Sequence, residues 1–208
     1  MNTSQLYDPN EETWQEKLHI GCGGIYLRGY TNIDTRGSIA TSLADDELTA
    51  HSTTIREYYR EDGEWNSLPK RGHIIVDKKM TMQNMEYEYL PGSVDKIVVV
   101  QAMEHLDPID FVVTIDSFLK VLRRPGVLIV SVPDMTGTLD WIDEDPSKTE
   151  FAVRHLRGTM KDVWSQHRSW WTQETLAKAL EWVGFDAVRP LQNFHCYPAI
   201  VMRGQKIG

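Results

Sequence analysis

The run Lys17-Leu18-His19-Ile20 stops abruptly at Gly21-Cys22-Gly23-Gly24. Three glycines in four positions mark a place where backbone turns tightly and can approach a ligand with no side chain in the way. Thirteen residues past Gly21, after the short run Tyr30-Thr31-Asn32-Ile33, stands Asp34. A carboxylate at the end of a neighbouring strand can accept hydrogen bonds from both hydroxyls of a ribose, the geometry used in dinucleotide folds. Taken alone, the glycines fit a plain turn, and Asp34 a solvated strand end, as well as they fit a ligand cradle. A pyrophosphate-binding loop needs G-x-G-x-x-G, and the sixth position here is Tyr26, so the third glycine's close helix packing is missing. A dinucleotide such as NAD is therefore the poorer nucleotide reading.

These residues need strands to present them. Apolar runs bounded by turn signals recur at Leu18–Gly21, Ile74–Asp77, Ile97–Val100 and Val127–Val132, with amphipathic stretches between some of them. The alternation predicts an α/β fold with a largely parallel sheet. Gln101, at the end of Ile97–Val100, should face a ligand pocket, because open α/β sheets bind at the carboxyl ends of their strands. A helix is predicted from Asp107-Pro108, where Asp caps free amides and Pro suits the first turn, with Val112, Ile115, Leu119 and Leu122 as its apolar stripe. Arg123-Arg124-Pro125-Gly126 should end it and lead into the next strand. A second helix starts at Thr172, carries Leu176, Ala177, Leu180 and Val183, and stops at Gly184. Phe185–Leu191 and Ala199–Arg203 suit the last strands. Ser42–Arg60 is a further helix candidate, and residues 134–171 show no clean period.

The stretch LHIGCGGIYLRGYTNID, Leu18 to Asp34, resembles motif I of class I S-adenosylmethionine-dependent methyltransferases, in particular a small type 11-like subgroup. The resemblance continues through Leu90-Pro91-Gly92-Ser93-Val94-Asp95, Gln101-Ala102-Met103-Glu104-His105-Leu106 and Leu122-Arg123-Arg124-Pro125-Gly126, and again from Trp171-Thr172 to Gly184-Phe185. Agreement in order across several segments counts for more than any one motif. The resemblance implies one methyltransferase domain over 1–208: a doubly wound, mostly parallel seven-stranded Rossmann-like sheet, helices on both faces and an antiparallel final strand. It implies S-adenosylmethionine as donor, with Gly21, Cys22, Gly23 and Gly24 forming the donor loop, Asp34 on the ribose and Asp77 near adenine. Lys78-Lys79-Met80 departs from the family's usual residues after that acid. Only about ten residues separate the first two strands, near the minimum for a parallel crossover, so the family's long first helix must shrink to a turn or two.

Methyl transfer is an in-line displacement at a carbon already activated by sulfonium charge, so positioning can supply most of the acceleration. If the acceptor is a hydroxyl its proton must leave, and His105 or His167 is then the general-base candidate; His105 could equally do no more than satisfy loop amides. Residues 134–171 are expected to form an inserted acceptor or lid region, with Trp141, Trp164, Trp170 and Trp171 as cavity walls or as its packing core. Arg154, His155, Arg157, His167 and Arg168 would supply polar contacts there. The N-terminal segment 1–16, with Tyr7 and Trp14, is a candidate to close over the donor.

Composition narrows the partners. Thirty acidic residues against 22 basic ones give a net charge of −8, which disfavours a nucleic-acid backbone. The Asn/Asp-Pro-Pro-aromatic signature of amino-methylating DNA enzymes is absent; the nearest segment is Val132-Pro133-Asp134. A small-molecule acceptor is therefore expected, with a sugar or natural-product intermediate suggested by the company such chains keep. A catalytically silent binding or assembly module is the alternative from another class. Two cysteines and no CxxC pair or His/Cys cluster give no expectation of a metal site and suit a reduced cytoplasmic setting. No apolar stretch approaches the roughly 18 residues of a membrane span, and the N-terminus is polar rather than signal-like.

Overall fold

The computed structural model describes residues 13–59 and 73–208, which leaves Tyr7 and most of the 1–16 segment outside the described residues. Seven strands form one sheet: β1 (Lys17–Ile20), β2 (Thr31–Asp34), β3 (Lys78–Lys79), β4 (Val94–Val100), β5 (Leu122–Pro133), β6 (Asp186–Leu191) and β7 (Ala199–Lys206). Their spatial order is β6-β7-β5-β4-β1-β2-β3. Neighbours from β5 across to β3 pair in parallel, and β7 enters antiparallel between β5 and β6. The expected mostly parallel sheet with an antiparallel final strand is present. From β1 the chain moves outward to β2 and later returns to lay β4 on the other side, so the sheet's switch point falls between β1 and β4.

Each buried strand has two apolar faces, as a parallel sheet covered on both sides requires. Ile97, Val99, Leu128 and Val130 face one cluster, which is closed by Met85 of α3 (Met85–Glu88), by α4 (Pro108–Val121) and by α7 (Gln173–Val183). Val98, Val127, Ile129 and Val201 face the other, closed by Leu27, Tyr58, Tyr59 and Phe194. Asp107 caps α4 as expected, its Oδ1 accepting from the amides of Ile109 and Asp110. The buried stripe of α4 is Phe111, Ile115 and Phe118; Val112 and Leu119 are only half-buried and Leu122 already belongs to β5. The bulkier phenyl rings take the inward positions and turn the helix away from the predicted stripe. α7 has its Thr172 capping box and ends at Gly184 in the left-handed conformation.

The Ser42–Arg60 helix does not form as one piece. A 3-10 turn at Ala40–Ser42 precedes α1 (Asp45–His51), Ser52–Thr53 are extended, and α2 (Ile55–Tyr58) restarts behind Thr54. Thr54 and Glu57 make a reciprocal capping box, so the Ser-Thr-Thr run starts a helix rather than continuing one.

The crossover from β1 to β2 holds no helix. Its place is taken by an extended pair, Tyr26–Leu27 against Ser52–Thr53. What pins this short connection is the fully buried amide of Asn32, in β2. Its Oδ1 accepts from the Leu27 amide at 2.8 Å, and its Nδ2 donates to the carbonyls of Leu27 and Tyr30, each at 3.0 Å. The Oδ1 also stands 3.1 Å from His19 Nδ1, and the Nδ2 3.1 Å from Asp77 Oδ2. Side-chain hydrogen bonds thus replace the packing that a longer helix would have given.

Trp14 packs at the opposite end of the sheet from the carboxyl strand ends. Its ring lies 5.8 Å from the ammonium of Lys96, near the start of β4, and the adjoining Gln15 and Glu16 amides both donate to Asp95. It therefore does not close over a ligand at the strand ends. Among the described residues no helix is long and apolar enough to cross a membrane.

Two expectations follow. Asn32→Ala should destabilise the chain by about 2–4 kcal/mol in urea unfolding, because several buried partners lose their bonds together. Burial lowers the His19 pKa from its ordinary 6.5 to about 4, so folding keeps this ring neutral where the unfolded chain would protonate it. Its contribution to stability is complete above about pH 6.5 and is lost as pH falls toward about 4. A shallower urea-midpoint loss over that window in His19→Gln is the expected result.

Candidate active site

β1 runs out at Ile20, and the chain turns on Gly21 and Gly23, both at positive φ (64° and 53°). At Gly21 a second requirement applies: an added Cβ would collide with the Cβ of Ala102, just beyond β4. The glycine lets the ends of β1 and β4 meet at the switch point. At Gly23 an added Cβ would touch nothing within 4 Å, so its freedom serves the turn alone. The Gly23 amide donates to Asp34 Oδ2 at 3.0 Å, tying the loop to the end of β2. The Asp34 Oδ1 accepts from the Arg36 amide at 3.3 Å. The Thr35 hydroxyl also donates to Oδ1, at 3.4 Å, so Oδ2 is the oxygen that keeps a further lone pair for a ligand.

These residues border a cavity of about 270 Å³ at the carboxyl ends of the parallel strands. Of the expected donor residues, Gly21, Gly23, Asp34 and Gln101 line it, and Cys22, Gly24 and Asp77 do not. Cys22 is buried, with its thiol pushed far up by burial and aimed at the Ile75 carbonyl; its amide donates to Ile33. Asp77 accepts from Tyr26 Oη and from the Asn32 amide, each at 2.7 Å. Its carboxylate is turned inward to hold the crossover. The wall beyond β3 is made instead by Met80, Thr81, Met82 and Gln83, which the sequence reading did not single out.

Gln101 has φ 53°, a left-handed conformation that costs a non-glycine residue energy and concentrates at functional sites. Its amide and side-chain Nε2 both donate to Ser131 on β5, at 2.8 and 3.3 Å. Those bonds hold the strained turn that carries the chain into Glu104 and His105.

Residues 134–171 supply the far wall. They fold as α5 (Met135–Glu144), α6 (Thr149–Arg157) and a loop that returns to the sheet where Trp171 bridges Asp134. The four tryptophans divide. Trp171 packs in the core against Phe111, ring centroids 4.2 Å apart, and Trp141 packs edge-on to Phe151. Trp170 donates to the Leu156 carbonyl, and Trp164 lines the cavity with Arg168. Arg154 and Arg157 are exposed, and His155 is tied to the Pro198 carbonyl. Arg36, beside Asp34, pairs with Asp162 at 3.5 Å and links the two sides of the cleft.

Beneath Arg168 lies a cluster that only the fold assembles. The amides of Arg168 and Ser169 donate to the Glu104 carbonyl, which lays 166–169 over 104–105. His105 lines the cavity and His167 sits behind it, ring centroids 4.9 Å apart. The Glu104 side chain is 2% exposed, and burial raises its pKa to about 8. Burial lowers the pKa of both histidines; for His167, burial first and then the nearby His105 and His155 bring it to about 4. Burial thus favours the uncharged form of all three groups in this corner.

No protein-family model matches the chain, and no curated protein matches it. Among solved structures, the S-adenosylmethionine-dependent methyltransferase SibL superposes with a TM-score of 0.57 at 13% identity, over 99% of this chain and 54% of its own length. A methyltransferase from Methanosarcina mazei gives 0.55 at 16%, over 97% of this chain and 98% of its own. One from Archaeoglobus fulgidus gives 0.54 at 13%, over 95% and 89%. The chain spans about half the length of SibL. The fold is that of the class I S-adenosylmethionine-dependent methyltransferases.

The two glycines should separate in mutagenesis. Gly23→Ala should cost about 1–2 kcal/mol, the penalty of a left-handed backbone for alanine. Gly21→Ala adds a steric clash with Ala102 and should cost clearly more, read as a lower urea midpoint.

Proposed function

We propose that the chain transfers a methyl group from S-adenosylmethionine to a small polar acceptor. One observation carries this: the fold's switch-point cavity is lined by the glycine turn on one strand and the Asp34 carboxylate on the next, joined by the Gly23–Asp34 hydrogen bond. A nucleoside fits that pair, the ribose hydroxyls donating to Asp34 and the base lying along Met80, Met82 and Ala102. The methionyl part runs past Gly21 toward Gln101. With adenine at one end, the methyl group is directed toward His105, Trp164 and Arg168. The acceptor binds there, where the mixture of aromatic and charged walls suits a small polar molecule.

The chemistry asks little of the protein beyond alignment. Acceptor nucleophile, methyl carbon and sulfur must fall in line, and the enclosing walls fix that geometry. For a hydroxyl acceptor the proton leaves toward the Glu104–His105–His167 corner. His105 Nδ1 is bonded to the Gln166 carbonyl at 2.9 Å, so the ring donates there and keeps Nε2 as the basic nitrogen.

Calorimetric titration should show S-adenosylhomocysteine binding and no NAD binding. Asp34→Ala should weaken the former by about 1–3 kcal/mol, the worth of hydrogen bonds to a charged acceptor. Absence of S-adenosylhomocysteine binding contradicts the proposed function, and unchanged affinity in the variant removes Asp34 from the ribose. His105→Gln should lower transfer to a hydroxyl acceptor by about 10²–10⁴-fold with donor affinity kept.

A further inference from the structure

Glu104, His105 and His167 present one carboxylate oxygen and two imidazole nitrogens within 4.8 Å of one another. Glu104 Oε1 is 3.9 Å from His105 Nε2 and 3.8 Å from His167 Nε2. These separations are too long for hydrogen bonds, so the three groups converge without satisfying one another. Glu104 Oε2 is buried and has no hydrogen-bond partner among the described residues. A buried carboxyl left in that state is costly and calls for a cause.

We infer that these three side chains form a site for a divalent first-row transition cation, with two imidazoles and one carboxylate as its ligands. A cation at the centre of the triangle needs the ligands to close by only a few tenths of an ångström to reach bonds of about 2.1 Å. An outer contact fits the same role. His105 donates from Nδ1 to the Gln166 carbonyl at 2.9 Å. Backbone carbonyls that fix the ring and tautomer of a histidine are the usual support of a ligating imidazole. Two nitrogens and one oxygen suit zinc, cobalt, manganese or iron(II) better than magnesium or calcium, which prefer all-oxygen sets.

His105 belongs to the cavity wall, so a cation held here stands at the acceptor end of the cleft. This deepens the methyl-transfer reading, on which its role in catalysis rests. The acceptor is then one with a hydroxyl that can reach the cation. With the cation in place His105 Nε2 is a ligand and no longer the base; the bound hydroxyl is acidified by the cation, releases its proton to solvent and attacks as an oxyanion. The new carbon–oxygen bond forms as the carbon–sulfur bond breaks, and the latter's electron pair stays on sulfur. Oxyanion and sulfonium become a neutral ether and a neutral thioether, and the cation is unchanged.

Untagged protein stripped with chelator should be titrated with cobalt(II), followed by visible ligand-field absorption, and back-titrated with zinc(II). The expected result is one cobalt per chain, displaced by zinc. Glu104→Gln and His167→Gln should each weaken binding by about 100-fold or more. His105→Gln, at a partly exposed ring, gives the same readout if removal of a buried ligand prevents folding. The inference is overturned if folded wild-type protein takes up no stoichiometric cobalt, or if uptake is indifferent to the three substitutions. Parallel titration with S-adenosylhomocysteine separates the two readings: cobalt uptake without it refutes methyl transfer alone, and the reverse refutes the cation site alone.

Discussion

The buried amide of Asn32 is the interaction on which the rest of the site depends. About ten residues must carry the chain from the end of β1 to the start of β2, a span that leaves no room for a helix to fill the sheet's face. Asn32 meets the problem with its own side chain, taking the Leu27 amide and the Leu27 and Tyr30 carbonyls into the sheet. Asp77 completes the arrangement from the far side, through the Asn32 amide and Tyr26 Oη. With the crossover fixed, the glycine turn has one position available, and Asp34, two residues past Asn32, is set to receive the Gly23 amide.

That dependence explains why two acids at strand ends have different fates. Asp34 and Asp77 both follow apolar runs and both have lysine or arginine close by in sequence. Asp34 lies on the cavity with Oδ2 still able to accept from a ligand, while Asp77 is drawn into the crossover, and the chain that continues past it supplies Met80–Gln83 as wall. The strained turn at Gln101 has a comparable role across the switch point. Its two bonds to Ser131 hold the turn from which His105 reaches the cavity wall and Glu104 the buried corner behind it.

Much of the scaffold was legible from the sequence because its signals are local. Asp107-Pro108, Thr172 and Gly184 act through the nearest turn of backbone, and the apolar runs of β4 and β5 are buried on both faces. Gly21, Gly23 and Asp34 were legible for the same reason. What escaped is set by contacts between distant segments. Asn32 looks like any polar residue within a short strand, and nothing nearby shows that its amide replaces a helix. Asp77 gives no local sign that Tyr26 will claim it. The break in the Ser42–Arg60 stretch is the exception, because the Thr54–Glu57 box that divides it is local and reads as a helix start. Glu104 and His105 are adjacent in the chain, but His167 reaches them after sixty further residues, so spacing alone gives no metal signature. The four tryptophans of the insertion are alike in sequence and are sorted only by packing, with Trp171 in the core and Trp164 on the cavity.

The central claim is that the Gly21–Gly23 turn and Asp34 hold the nucleoside of a methyl donor at the switch point of the sheet. Its most direct test is a crystal structure of the chain with S-adenosylhomocysteine. The account predicts ribose hydroxyls on the Asp34 carboxylate, adenine along Met80 and Met82, and the thioether sulfur directed toward Gln101 and His105. Ligand density elsewhere on the molecule, or in this cavity with the ribose away from Asp34, would contradict it.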